Sequence, residues 1–119
     1  MLLNAALFVF GAVQHAGISI GSFHEPHIIP AAVVETLCAL ALVWGAANVL
    51  QGLLNARLAA VIGNLVAITG VAIGMVALAL GRGPRTASND LYHRIMLILA
   101  AASLVILFIP AGRTALKRQ

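Results

Sequence analysis

From Leu58 to Leu80 the chain runs without a single charged side chain. A helix of that length, rising about 1.5 Å per residue, crosses the roughly 30 Å hydrocarbon core of a bilayer. Three further predominantly apolar stretches lie at about 3–20, 31–50 and 91–109. Short polar turns separate them, so the pattern predicts an all-α, integral membrane, antiparallel four-helix bundle. Residues 1–119 then form one domain with four spans, at about 3–20, 31–50, 58–80 and 91–109. Composition agrees: 62% of residues are hydrophobic and 8% charged, against about 25% charged in soluble domains. The mean hydropathy is +1.07.

The net charge of +4 does not point to nucleic acid, because no Lys or Arg precedes Arg57 and Arg113, Lys117 and Arg118 gather in the tail. That distribution reads as a topology signal and a contact with lipid headgroups. With four spans, one face carries Arg57 and the basic tail, and the other carries Arg82, Arg85 and Arg94. The balance favours both termini on the cytoplasmic side. The first apolar run has no basic residues before it and no small-residue cleavage site after it, so it reads as a retained first span. Ser88 and Asn89 are the candidate caps of the last helix. The single cysteine, Cys38, lies in an apolar run and reads as a small buried hydrophobe.

One stretch departs from this background. Gln14–Glu35, QHAGISIGSFHEPHIIPAAVVE, holds three of the four histidines and two of the three acidic residues. His24, Glu25 and His27 fall in the first loop. His15 is expected about 9 Å down span one, and Glu35 about 7–8 Å down span two, at the helical rise. His93, with Asp90, Tyr92 and Arg94, opens span four at the same end. Every histidine and acidic residue is therefore expected in the outer third of the bundle, whichever way the protein is inserted.

Glu35 is the most informative of these. An ionisable group inside a span costs about 2.5–3.5 kcal/mol on insertion scales, so it faces the bundle interior and finds a partner. His15, His27, His93 and Arg94 are the partners available at that depth. The plain alternative is a Glu35 solvated through the loop, with loop histidines bonded to carbonyls and headgroups. Three sharper readings stand beside it. A divalent metal has His15, His24, His27, Glu35 and His93 as candidate ligands, since imidazole and carboxylate suit Zn or non-haem Fe. A b-type haem has His15 and His93 as the pair matched in depth. A quinone or other lipid-soluble ligand has His15, Glu35, Tyr92, His93 and Arg94.

Smaller signals concern packing. Gly17 and Gly21 stand at G-x-x-x-G spacing, as do Gly70 and Gly74 with Gly63 a heptad earlier, and small faces let helices approach closely in lipid. Asn4, Asn48, Asn64 and Ser103 make an inner polar layer that reads as register-fixing. Tyr92 fits an interface and Trp44 internal packing.

Phe10-Gly11 and a histidine near the outer end of span one precede a short loop reaching Pro30. Ala32, Glu35, Ala39 and Gly45 follow on span two, then a tight turn with Arg57. In this order the chain resembles the DoxX-like family of small four-helix membrane proteins. The resemblance implies a bacterial plasma-membrane protein associated with oxidoreductase chemistry, at times a membrane subunit working with thiols, sulfur compounds or quinone. It carries over Glu35 and His15 as site residues. The expectation is a redox-associated membrane subunit or a quinone-like ligand binder, with a His/Glu site near the outer face. A purely structural accessory subunit of a larger membrane complex, or of a homo-oligomer, is the alternative from another class.

Overall fold

The computed structural model describes residues 1–22 and 25–109. They form four helices, α1 (Leu2–His15), α2 (Ile29–Leu50), α3 (Ala56–Ala79) and α4 (Ala87–Phe108), with no strand among the described residues. The all-α, four-helix expectation holds, while two boundaries move.

The first is the end of α1. Ala16 is its C-cap, Gly17 follows at φ +93°, and the Gly17 and Ile18 N–H groups donate back to Gln14 O at 2.9 Å and Val13 O at 3.2 Å. This pair of bonds is the Schellman closure, which needs a residue in the left-handed region just past the helix. Gly17 is thus a helix stop and not, with Gly21, a helix-packing face. The expected span of about 3–20 becomes a helix of 14 residues, about 21 Å long. The same closure, with Gly52 and Gly81, ends α2 and α3. Three helices, α2, α3 and α4, are long and apolar enough to cross a membrane, and α1 is a shorter apolar helix beside them.

The second is the start of α4. Thr86 is the cap, in place of Ser88 or Asn89: its backbone is extended and its Oγ1 accepts from Asn89 N–H at 3.0 Å. The helix therefore begins at Ala87, four residues before the expected Leu91. It stops at Ile109, whose extended backbone is what the following Pro110 demands.

The bundle is inside-out by soluble standards. Leu40 is 60% exposed and Ile98 66%, while Asn4, Gln14, His15, Glu35, Asn64, Asn89 and His93 are buried. Large aliphatics outside and polar groups inside suit a lipid surround, where every buried polar group seeks a partner and the surface does not. Trp44 belongs to the outer surface, at 49% exposure, and not to internal packing.

The interior is filled by Phe8, Leu42, Val71 and Met96 among alanines. Along the α2–α3 seam the backbones meet directly. A Cβ on Gly63 would lie 2.6 Å from Ala41 O, and one on Gly45 2.9 Å from Ala59 O. Gly70 is closed off by the Cys38 thiol, itself buried. Met1 sits against Gly45 and Gly63, while at the other end His93 lies against Gly74, so the helices alternate in direction. Arg57 lies over the Phe108 ring, 4.9 Å from its centroid, tying the start of α3 to the end of α4. The α1–α4 seam is the most sparsely packed of the four.

Candidate functional site

His15 is the last residue of α1, so its depth does not come from a position well down a span. It comes from the loop folding back over it. Ile28 N–H donates to His15 O at 2.9 Å, and the residue is 2% exposed. Its Nδ1 meets Pro26 O at 3.2 Å. A carbonyl only accepts, so Nδ1 carries a hydrogen and donates, which leaves Nε2 as the nitrogen turned to the bundle interior. Nε2 faces Glu35 Oε1 at 3.9 Å.

Glu35 enters from α2, where Pro30 sits in the first helical turn, a position that needs no backbone N–H. Glu35 is 5% exposed, and among the described residues its ion-pair partner is His15. Its second oxygen, Oε2, has no hydrogen-bond partner. An isolated carboxylate in such a place is costly, and His15 Nε2 is the group set against it.

Tyr92 comes from α4 and points inward, away from the interface expected for it. Its hydroxyl donates to Leu7 O at 3.2 Å. Gly11, on α1, makes this approach possible: a Cβ there would stand 2.5 Å from the Tyr92 hydroxyl and 2.6 Å from Glu35 Oε1. His93 follows on the same helix and is buried over Gly74, whose Cβ would fall 2.9 Å from Nε2.

Of the residues expected at the site, His15, Glu35, Tyr92 and His93 come together. Arg94 does not: it is exposed, since one helical step beyond His93 turns it outward. His27 is also exposed, with its ring over Gly17. Among the described residues, no group of three His, Cys, Asp or Glu side chains is placed to hold a metal ion; of the expected metal set of His15, His24, His27, Glu35 and His93, His24 lies outside those residues. The haem pairing fits poorly as well, because both nitrogens of His15 are turned to protein oxygens.

Two residues that sequence reasoning passed over belong to the site. Gln14 is 3% exposed, and neither its amide oxygen nor its nitrogen has a partner. Asn89, read only as a cap, is buried with its Oδ1 unpartnered. Gly11, Gln14 and His15 stand at i, i+3 and i+4, hence on one helical face, and that spacing was the available signal for Gln14.

The cluster lies between two hollows. A cleft of about 250 Å³ separates α1 from α4, walled by Leu7, Phe10, Ile95 and Met96 and ending on Gln14, His15 and Asn89. Leu91 and Ile95, on its border, are exposed apolar residues. A smaller hollow of about 170 Å³ lies among α2, α3 and α4, touching His15, Glu35 and His93 and reaching Arg82 at the loop end. Above the cleft, Glu25 ties the first loop to α4. It accepts from Thr86 Oγ1 at 2.8 Å and from the Ser88 hydroxyl, next to the positive end of the helix dipole. Arg85 closes this end by pairing with Asp90 through both carboxylate oxygens, at 2.8 and 3.1 Å.

No protein-family model, curated protein or solved structure matches the chain.

Proposed function

We propose that this protein is an integral membrane binder of a lipid-soluble ligand of the quinone class, held in the cleft between α1 and α4. The observation that carries this reading is a largely apolar cleft with Gln14, His15 and Asn89 in its wall, Glu35 standing 3.9 Å behind the His15 ring. Apolar walls with a few polar groups at one end are the usual make-up of a small-molecule site. Here the mouth, bordered by Leu91 and Ile95, opens where a lipid-borne ligand arrives.

The pair has a definite place in this reading. His15 Nδ1 is committed to Pro26 O, so Nε2 is the ring nitrogen that faces the Glu35 carboxyl, 3.9 Å away, beside the cleft. The smaller hollow on the far side touches the same two side chains and reaches Arg82 at the loop end. A quinone head supplies two-electron, two-proton chemistry when bound. The protein supplies the slot, the exclusion of water and the polar groups at one end. The resemblance to DoxX-like proteins points the same way, toward a membrane subunit of a redox system in the plasma membrane. The orientation with the loop end outward and both termini cytoplasmic rests on the Lys and Arg balance.

A purely structural role has less in its favour. The small-residue faces that would serve a partner are consumed by α2–α3 packing within the chain at Gly45, Gly63 and Gly70.

The test is extraction of the detergent-purified protein with organic solvent, alongside titration with a short-chain quinone. Wild type should carry or bind about one quinone-class molecule per chain, and Glu35→Gln, which removes the carboxylate facing His15, should bind about tenfold more weakly. A correctly folded wild type that neither carries nor binds such a molecule would overturn the reading.

A further inference from the structure

We infer that the α3–α4 seam, at the loop end of the bundle, binds the headgroup of an anionic phospholipid through Arg94 and Arg85. This site lies across α4 from the cleft and does not depend on what the cleft holds.

Arg94 poses the problem. It lies two helical turns below Ala87, about 10 Å down α4, and no charged side chain follows it before Phe108. Its side chain is exposed, and a guanidinium keeps its charge. On a lipid-facing surface that charge is costly unless it meets an anion or reaches the headgroup layer. The carboxylate one turn earlier, Asp90, is occupied, with both oxygens accepting from Arg85 Nε at 2.8 and 3.1 Å. Among the described residues the ion pairs are His15–Glu35 and Arg85–Asp90, and Arg94 belongs to neither.

The surroundings suit a phosphodiester. Arg85, Asp90 and Arg94 border one hollow of about 160 Å³, against Met75, Leu78 and Ala79 of α3. Two guanidinium groups there stand against one carboxylate, which leaves a surplus of positive charge. Glu25 does not offset it: that side chain borders the α1–α4 cleft, where Thr86 and Ser88 donate to it. A guanidinium fork meets phosphate oxygens through charge-assisted bonds, and basic hollows between spans hold anionic headgroups.

A soluble phosphate would suit the arginines equally. What points to a lipid is the face below them. Ile98, Ala101 and Val105 follow Arg94 at i+4, i+7 and i+11, on one side of the helix, and all three are exposed. A phosphate held at Arg94 therefore continues into an apolar strip along which an acyl chain can lie. A zwitterionic head would add an ammonium group, and the hollow's carboxylate is already paired. A head with net negative charge brings no such cost.

The experiment is native mass spectrometry of the full chain, released from detergent micelles loaded with equal amounts of dioleoyl phosphatidylglycerol and dioleoyl phosphatidylcholine. About one phosphatidylglycerol per chain should be retained, at least about fivefold over phosphatidylcholine. Arg94→Gln should bring the two lipids to within about twofold. Lys117→Gln, which removes the same charge from the tail, should keep the wild-type preference. Equal retention of both lipids by wild type would overturn the proposal, and that ranking decides the matter should Arg94→Gln fail to fold. An equal loss of preference in Lys117→Gln would also overturn it, because net charge and not a site would then set the ranking. Inorganic phosphate added in excess should leave the lipid bound; its displacing phosphatidylglycerol would make this a soluble-phosphate site instead.

Discussion

Gly11→Ala is the sharpest test of the site's geometry, because a helix-stabilising change should here destabilise. In an exposed helix interior, Gly→Ala gains about 1 kcal/mol. At Gly11 the new methyl would stand 2.5 Å from the Tyr92 hydroxyl, 2.6 Å from Glu35 Oε1 and 2.9 Å from Glu35 Cδ. No side chain fits there without displacing two others. Overpacking of this kind costs about 1–3 kcal/mol, and moving Tyr92 off Leu7 O loses about 1 kcal/mol more. After the propensity gain is subtracted, the net loss is about 1–3 kcal/mol. The assay is reversible unfolding of helicity in mixed micelles, run as a double-mutant cycle with Tyr92→Phe. Deleting the hydroxyl removes the nearest contact, so Gly11→Ala should cost less when combined with Tyr92→Phe than in wild type. A Gly11→Ala protein as stable as wild type, or more so, would show that Tyr92 and Glu35 do not converge over this position.

Three further outcomes follow from the same geometry. Gly17→Ala forces a side chain into a backbone at φ +93° and should cost about 1–2 kcal/mol; unchanged unfolding would mean α1 continues past His15. Thr86→Ala removes both the α4 cap and a Glu25 contact and should cost about 1–2 kcal/mol, with faster amide exchange in the first turn of α4, whereas Thr86→Ser should restore most of it. Gly63→Ala places a methyl 2.6 Å from Ala41 O, a backbone atom that cannot rotate away, and should destabilise by about 1–3 kcal/mol; neutrality in the same unfolding assay would contradict the close α2–α3 seam.

The level of the polar cluster was legible because it depends on topology. Short turns after α2 and α3 bring Glu35, Tyr92 and His93 to one end of the bundle, and any even alternation of helices does this whatever the side chains are. What was not legible was which of them meet. Tyr92 and His93 turn inward and Arg94 outward because one residue is a rotation of about 100° on a helix, and the rotational setting of α4 is fixed by packing, at Met96 and Ala100. Asn89 looked like a cap because it stands near a helix start. Thr86 takes that role, since its extended backbone lets its hydroxyl reach the Asn89 N–H, and this frees the Asn89 side chain to face the cleft.

Gly17 shows most clearly why composition and spacing fell short. At G-x-x-x-G spacing with Gly21 it reads as part of a helix face, and that reading carries span one on to Ile20. The same glycine, placed just past a histidine, is equally a helix stop, and a single sequence offers little to choose between the two. The left-handed turn at Gly17 decides several features together. It shortens α1, returns the chain so that Pro26 and Ile28 close over His15, and sets the His15 Nδ1 hydrogen on Pro26 O. Nε2 is then left to Glu35. The short first helix and the buried histidine therefore have one cause, and a change at Gly17 should disturb the His15–Glu35 pair without touching either of its members.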